Sequence, residues 1–289
     1  MLARLGVFVL WLMHFLPFRV IVAIGNSMGS LLYLLAGERR RVGLINLKLC
    51  FPEMTDQARE QLLKDHFKLF LRGIIERSIL WWASSDRISS LIRVEGIGHF
   101  EAIWGKPAIL LTPHFVGMDA GGQWIAQHTD TVCMYANQKN PYLTELLLKK
   151  RARFRNQYLY SRQQGLRPII KGMRQGLPFI YPPDQDQGIK DGAFVPFFGV
   201  PAATMTSVSR IAKMTDAKVV PSITRVLPGS GGYVLTFYPA WENFPSGDDV
   251  LDARRMNEFI EARVREMPEQ YFWLHKRFKT RPQGEKKFY

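Results

Sequence analysis

The sequence predicts an α/β fold in which helices flank a mixed β-sheet, preceded by an N-terminal membrane-anchoring helix. Short apolar runs alternate with amphipathic helical stretches, and a glycine-rich turn separates the last two runs, which predicts the mixed sheet. A long apolar stretch followed by consecutive arginines predicts the membrane anchor. We expect residues 1–40 to form the membrane-associated segment and residues 41–289 to form one domain on the cytoplasmic side.

The composition is that of a folded protein and narrows the classes of partner. Of the 289 residues, 47% are hydrophobic and 22% are charged, which excludes disordered and collagen-like chains. Two cysteines, Cys50 and Cys133, form no metal-binding or disulfide pattern. The net charge of +14 favours a polyanionic partner: nucleic acid, anionic membrane, phosphorylated substrate or acidic protein.

The apolar stretch covers residues 5–36, and its only formal charge is Arg19. Pro17 interrupts it, so it either spans the bilayer or lies half-inserted as a bent anchor. The alternative is a buried helix pair in a soluble protein. The arginines at residues 39–41 favour the membrane, because basic residues flank membrane segments on the cytoplasmic side. Within the stretch, residues 25–29 match the GxSxG pattern of serine hydrolases. We interpret them instead as small residues that allow close helix packing.

Periodicity predicts the elements of the main domain in order. Thr55 is expected to cap a helix that continues to Trp82. A short strand and turn are predicted at residues 92–100, and strands at residues 107–112, 131–136, 178–182 and 217–223, with a hairpin over 219–240. Further helices are predicted at residues 100–104, 141–158, 165–175 and 248–267.

His114 and Asp119 follow the second predicted strand and are the first candidates for chemistry. If a helix begins just after His114, Asp119 lies in its first turn and can accept a hydrogen bond from one imidazole nitrogen. The other nitrogen is then free to act as a general base. Such a pair activates a hydroxyl group without a serine or cysteine nucleophile.

Two further regions support a site at this edge of the sheet. Residues 181–188 contain Asp184, Gln185 and Asp186 directly after a strand, where functional loops of α/β sheets emerge. Residues 194–199 (FVPFFG) form an apolar patch suited to an acyl chain. The stretch 139–162 is rich in arginine, which is suited to phosphate contacts, although such a charge run is also typical of a solvated helix face.

Taken together, the His-x-x-x-x-Asp motif, the PDQD and PFFG segments and the YFWLHKRFKTRP tail (residues 271–282) resemble the late acyltransferases of bacterial lipid A biosynthesis. The resemblance covers nearly the whole chain and places it in the wider glycerolipid-acyltransferase-like fold. It implies transfer of a fatty acyl chain from acyl-acyl carrier protein to a hydroxyl on an acyl chain of a lipid A precursor that carries Kdo sugars. It also implies the bacterial inner membrane as the location.

By the same resemblance, His114 matches the catalytic base and Asp119 its orienting acid. Arg153 and Arg162 match phosphate-binding residues, and Asp184, Gln185 and Asp186 belong to a further substrate-binding block. The implied partners are acyl carrier protein, an anionic glycolipid and inner-membrane lipids. We expect no cofactor, no metal and no nucleic acid.

Three alternatives remain. A membrane-bound lipid or thioester hydrolase would use the same pair to activate water. An acyltransferase of this type would act on another membrane lipid. A non-enzymatic binder of nucleic acid or anionic lipid would use the basic stretch and would tolerate replacement of His114.

Overall fold

The computed structural model describes residues 2–289. Its helices are α1 (Leu2–Met13), α2 (Phe18–Leu35), α3 (Gly37–Cys50), α4 (Asp56–Trp82), α5 (Ser85–Ser89), α6 (Ile97–Glu101), α7 (Met118–His128), α8 (Pro141–Arg151), α9 (Arg167–Arg174), α10 (Ser207–Thr215) and α11 (Asp249–Glu266). Its strands are β1 (Ile92–Glu95), β2 (Ala108–Leu111), β3 (Thr131–Tyr135), β4 (Gln157–Ser161), β5 (Phe179–Tyr181), β6 (Gly192–Phe197), β7 (Val200–Met205), β8 (Lys218–Val226) and β9 (Tyr233–Phe237).

Seven strands form the main sheet in the order β1-β9-β8-β2-β5-β3-β4, and β6 and β7 form a separate hairpin. All neighbours in the main sheet are parallel except β8 and β9, which confirms the predicted mixed sheet. Since β2 and β5 are parallel neighbours, with Leu111 opposite Tyr181, the loops after them leave from one edge. This arrangement brings the segment after Leu111 against the loop after Tyr181.

Helices cover both faces of the sheet. Ile109 and Leu111 of β2 face the cluster that contains buried residues of α9, α10 and α11. Ala108 and Leu110 face the opposite cluster, with buried residues of α5, α6 and α7. Burial on both faces explains why β2 is a continuous apolar run rather than an alternating one.

Most predicted elements are confirmed, with three differences. The helix predicted at residues 100–104 lies earlier, at Ile97–Glu101. The helix from Thr55 is present as α4, and the Thr55 hydroxyl accepts a hydrogen bond from the Ala58 amide at 3.2 Å. The helix predicted for residues 141–158 is too long, because α8 ends at Arg151 and residues 157–161 pair with β3 as the edge strand β4. Phe197, in the predicted acyl-chain patch, is instead fully buried in the core by the β6–β7 hairpin.

The N-terminal stretch forms two helices that meet at Pro17. Helix α2 has a mean hydropathy of 1.5 and is long and apolar enough to cross a membrane. Only 28% of it is buried. The exposed large apolar side chains of α1, α2 and their connection are Leu2, Leu5, Phe8, Val9, Leu12, Phe15, Val20, Met28, Leu31, Leu34 and Leu35. This apolar surface is consistent with membrane association.

The buried side of α2 packs against α4 through Gly25 and Gly29. A Cβ atom at Gly25 would lie 2.6 Å from the Arg72 Cα atom, and one at Gly29 would lie 2.4 Å from the Lys68 Cα atom. Only glycine permits this approach of two helix backbones. The interpretation of residues 25–29 as packing residues is therefore confirmed.

Candidate functional site

His114 lies between the end of β2 and the start of α7, in a segment held by the C-terminal tail. The Phe272 amide donates to the His114 carbonyl oxygen at 3.0 Å, and the Val116 amide donates to the Gln270 carbonyl oxygen at 2.9 Å. The turn after a buried strand and the tail together fix the backbone that carries the imidazole. The His114 side chain is 21% exposed, so it remains accessible.

Asp184, from the loop after β5, is the partner of His114. The Asp184 carboxylate lies 2.7 Å from His114 Nδ1 and also accepts from the His114 backbone amide at 3.0 Å. Burial raises the pKa of Asp184, but its contacts with His114 outweigh this effect and hold the pKa below its ordinary value. An ionised Asp184 requires the proton of a neutral imidazole to be on Nδ1 and leaves Nε2 as the acceptor.

Asp119 does not make the predicted hydrogen bond to His114. It does lie in the first turn of α7, but its carboxylate accepts from Arg77 Nε of α4 at 2.7 Å. The expected His114–Asp119 pairing is therefore wrong, because Asp184 occupies Nδ1 and a guanidinium attracts Asp119 more strongly than a neutral ring does. Burial raises the pKa of Asp119, but the charges of Arg77 and Arg151 outweigh it and keep this pKa low.

Arg77 is the site residue that the sequence analysis missed, whereas Arg151 belongs to the basic stretch 139–162 noted from the sequence. Both line a cavity next to His114, Arg77 from α4 and Arg151 from the last turn of α8. Three guanidinium groups, those of Arg77, Arg151 and Arg162, line the cavities at His114 against the two carboxylates of Asp119 and Asp184, which leaves a surplus of positive charge. A signal for Arg77 was present, since charged residues interrupt an otherwise apolar stretch over residues 69–82.

Of the two predicted phosphate-binding arginines, the structure places one at the site. Arg162 lines a cavity at His114 and donates to Gln187 Oε1 at 2.6 Å. Arg153 donates to the carbonyl oxygens of Leu80 at 3.2 Å and Ala83 at 2.6 Å. It caps the end of α4, whose last carbonyl groups lack donors within the helix, and it lines neither cavity at His114, so its contact with substrate stays a prediction.

The loop residues 184–186 point in different directions. Gln185 lines both cavities described below, as expected for a substrate-binding residue. Asp186 is 2% exposed and accepts from the Thr280 amide at 2.7 Å, from the Thr280 hydroxyl at 2.8 Å and from the Gly188 amide at 2.9 Å. It fixes the C-terminal tail and lines neither cavity, so the structure gives it a structural contact and its substrate-binding role stays a prediction. Asp184 contacts His114 instead of lining a cavity.

Two cavities meet at the imidazole. The narrow cavity, about 250 Å³, runs between α7, α8 and the strands β3 and β4. Its apolar lining includes Met118, Gly121, Gly122, Ile125, Ala126, Leu147, Leu159 and Ile180. The wide cavity, about 590 Å³, runs beside α4. Its lining includes Phe70, Gly73, Ile74, Arg77, Val116, Leu143 and Phe272. Residues common to both are Trp81, His114, Met118, Asp119, Gln138, Leu147, Arg151 and Gln185.

This arrangement suits transfer of a group between two bound molecules. An accessible imidazole lies where the cavities join, one branch is apolar and narrow, and cationic groups line the junction. Within residues 2–289, no group of three or more histidine, cysteine or acidic side chains has the arrangement of a metal site.

The family model and the sequence relatives agree on one family. The family model for bacterial lipid A biosynthesis acyltransferases matches residues 1–280. The chain is 34% identical over 286 residues to the lipid A biosynthesis lauroyltransferase of Escherichia coli (strain K12), an alignment that covers 98% of this chain and 93% of that protein. It is 32% identical over 254 residues to the lipid A biosynthesis myristoyltransferase of the same strain, an alignment that covers 87% of this chain and 78% of that protein. Among solved structures, the 1-acyl-sn-glycerophosphate acyltransferase of Thermotoga maritima aligns with 84% of this chain and 97% of that one, at 18% identity and a TM-score of 0.39.

Proposed function

We propose that this chain, which belongs to the family of bacterial lipid A biosynthesis acyltransferases, takes its acyl group from acyl-acyl carrier protein. The family supports acyl transfer onto lipid A. The acceptor in our proposal is a hydroxyl on an acyl chain of a Kdo-bearing lipid A precursor. The observation that carries the proposal is the position of His114, held by Asp184 at the junction of two cavities.

The narrow cavity is suited to the acyl chain of the donor. Its apolar residues on α7 extend from Met118 to Ala126, a distance of about 12 Å at 1.5 Å per residue. Burial of methylene groups along this length favours binding by about 0.8 kcal/mol each. The thioester carbonyl would then lie beside His114, where the cavity begins.

The wide cavity is suited to the acceptor. Its wall is α4, against which the membrane-associated helix α2 packs, so a lipid could reach it without leaving the bilayer. Its mouth carries Arg77 and Arg151, whose surplus positive charge suits a phosphate group of the glycolipid. In this proposal Asp119 positions both arginines, and Arg162 and Gln185 contact substrate at the junction.

In the proposed reaction, His114 Nε2 removes the proton of the acceptor hydroxyl as its oxygen attacks the thioester carbon. The carbon–sulfur bond breaks when the tetrahedral intermediate collapses, and the imidazolium returns the proton to the leaving thiolate. Asp184 keeps the ring in the required tautomer and stabilises the imidazolium. The thioester is already activated, so the reaction needs neither a metal nor a cofactor.

The cysteines are poor candidates for a covalent intermediate. Burial raises the pKa of Cys133, which lines the narrow cavity, and raises that of Cys50, which lies in the core. A thiol with a raised pKa is a weak nucleophile at neutral pH. Direct transfer without an acyl-enzyme is therefore the expected course.

We also propose that the protein is located at the bacterial inner membrane with its main domain in the cytoplasm. The exposed apolar surface of α1 and α2 would be inserted in the bilayer. The arginines at residues 39–41 follow directly and would lie at the cytoplasmic surface.

The test is an assay with a Kdo-bearing tetra-acylated precursor and acyl-acyl carrier protein, with products identified by mass spectrometry. His114→Ala should lower kcat by 10²–10⁴-fold, the usual contribution of a general base. Asp184→Asn should lower kcat, because an amide can hold the wrong tautomer. Asp186→Asn is the matched control from the same loop. It should lower the melting temperature and leave kcat close to that of the wild type.

Three outcomes would contradict this proposal. Donor consumption at the same rate without acceptor would identify a thioester hydrolase. Transfer to other membrane lipids, with none to the precursor, would identify a different acceptor. Nearly full activity of the His114→Ala protein would show that His114 is not the general base.

A further inference from the structure

Helices α9 and α10 together present a strongly basic surface to solvent. They pack side by side, and Arg174 of α9 donates to the Met214 carbonyl oxygen of α10 at 3.1 Å. The surface, here called the α9–α10 basic face, consists of the exposed residues Arg162, Arg167, Lys171, Arg174, Arg210 and Lys213. No acidic residue occurs within residues 162–175 or 207–215.

The charges of this face have no ion-pair partner in the fold. Among residues 2–289, no salt bridge involves any of the six, whereas on α11 Arg254 pairs with Glu258 and Glu261. The apolar side of α9, with Ile169 and Met173 fully buried, supplies its packing against the sheet. The basic side chains are exposed, and their charges, which form no ion pair, create a positive potential that attracts an anionic partner.

The face begins at the narrow cavity. Arg162 lines that cavity. Burial raises the pKa of Tyr181 at the carboxyl end of β5, and the charges of Arg210 and Arg162 oppose this rise. The Tyr181 and Ser207 hydroxyl groups lie 2.8 Å apart, which places the first turn of α10, and Arg210 with it, next to the edge of the sheet from which the Asp184 loop emerges.

We propose that the α9–α10 basic face docks the acidic carrier protein that delivers the acyl thioester. This inference rests on the proposed function, because it requires a carrier-bound donor. A carrier protein on this face would hold its thioester arm beside the cavity that starts at Arg162. Exposed Leu166 and Met214 add the small apolar contacts of a protein interface. The large exposed apolar surface of α1 and α2, which suits lipid, is a different part of the molecule.

The experiment compares Arg167→Glu/Lys171→Glu with Lys286→Glu/Lys287→Glu. The second pair is exposed, lies outside the basic face and changes the net charge equally. Each full-length protein is assayed in detergent with acyl-acyl carrier protein and with an acyl-pantetheine thioester of the same chain length. The first variant should lower kcat/KM for the carrier-bound donor tenfold or more, mainly through KM and with a weaker salt dependence. Its kcat/KM for acyl-pantetheine should stay within twofold of wild type.

Direct binding decides the proposal even if no turnover is seen. Titration with holo acyl carrier protein should give a Kd at least tenfold weaker for the first variant than for the control. Equal Kd values, or an equal loss with both donors, would overturn the docking proposal. The docking proposal would also be overturned if the first variant lost binding to vesicles of anionic phospholipid but kept its binding to the carrier protein. Failure of the wild-type protein to acylate the lipid A precursor from either donor would contradict the proposed function, whatever the binding result.

Discussion

Helix α4 carries two arginine–carboxylate pairs whose surroundings differ. Arg72 and Glu76 lie 2.6 Å apart, and their side chains are 3% and 1% exposed. Arg77 and Asp119 lie 2.7 Å apart, and their side chains are 34% and 23% exposed. The two arginines are close in sequence, yet one pair is enclosed by the fold and the other opens into a cavity.

The enclosed pair is surrounded by further partners. Glu76 also accepts a hydrogen bond from the Tyr233 hydroxyl, and Arg72 also donates to the Gly229 carbonyl oxygen at 2.8 Å. In the open pair, Asp119 is shared with Arg151, so positive charge exceeds negative charge. The comparison indicates that a buried pair with matched partners joins elements of the fold. A pair with surplus charge at a cavity is available to bind an anion.

Arg72→Ala tests the enclosed pair and should have the largest effect. It leaves Glu76 buried without its counter-charge, which typically costs 3–5 kcal/mol of unfolding free energy. Burial already raises the pKa of Glu76, and loss of Arg72 should raise it further. The loss of unfolding free energy caused by Arg72→Ala should therefore become smaller as the pH falls and Glu76 takes up a proton. Denaturant unfolding at several pH values measures this, and a loss below about 1 kcal/mol would show that the pair does not join the fold.

Arg77→Ala tests the open pair and should change activity more than stability. Loss of a charge-assisted contact with an anionic substrate should cost about 1.5–3 kcal/mol in kcat/KM, roughly 10- to 150-fold. The melting temperature should change little, because a partly exposed pair contributes about 0–1 kcal/mol. Arg77→Lys should recover part of the activity. A large drop in melting temperature at unchanged kcat/KM would make this pair structural as well.

Arg153→Ala extends the comparison to an arginine without a carboxylate partner. It removes two hydrogen bonds to the end of α4, which should lower the unfolding free energy by about 1–2 kcal/mol. The KM values for donor and acceptor should not change. If KM rises for either substrate at an unchanged melting temperature, Arg153 contacts that substrate after all.

The smallest expected effect is an opposite response of the two carboxylates to acid. The folded state raises the pKa of Glu76, so the stability it contributes is present at low pH and is lost as the pH rises through that pKa. The folded state lowers the pKa of Asp119, so the stability that Asp119 contributes is present at neutral pH and is lost as the pH falls through that pKa. The differences in unfolding free energy between wild type and Glu76→Gln, and between wild type and Asp119→Asn, should slope in opposite directions. Slopes of the same sign would contradict the comparison.

Local sequence signals were enough for most elements and for the position of His114. The cap at Thr55, the continuous apolar run of β2 and the break at Pro17 each depend on residues close in the chain. The partner of His114 does not, because Asp184 lies 70 positions away and only the pairing of β2 with β5 brings it close. Asp184 and Asp186 are two residues apart in one loop, and local spacing cannot distinguish which contacts the imidazole and which holds the tail.

Spacing also could not separate Arg151 from Arg153. Both lie in the same basic stretch, but α8 ends at Arg151 and the chain turns before β4 begins. That turn directs Arg151 into the cavities and Arg153 against α4. The predicted helix over residues 141–158 did not include the turn, so the two arginines were treated as members of one cluster.

The hydrogen bonds between the tail and the His114 segment have a consequence for the timing of activity during biosynthesis. Gln270, Phe272 and Thr280 are synthesised after every strand of the sheet, yet they fix the His114 backbone and the Asp184 loop. A nascent chain can thus place α1 and α2 at the membrane and form its sheet before the base is positioned. Under the proposed function, catalysis could start only once this last segment had left the ribosome, by which time α1 and α2 would be at the membrane.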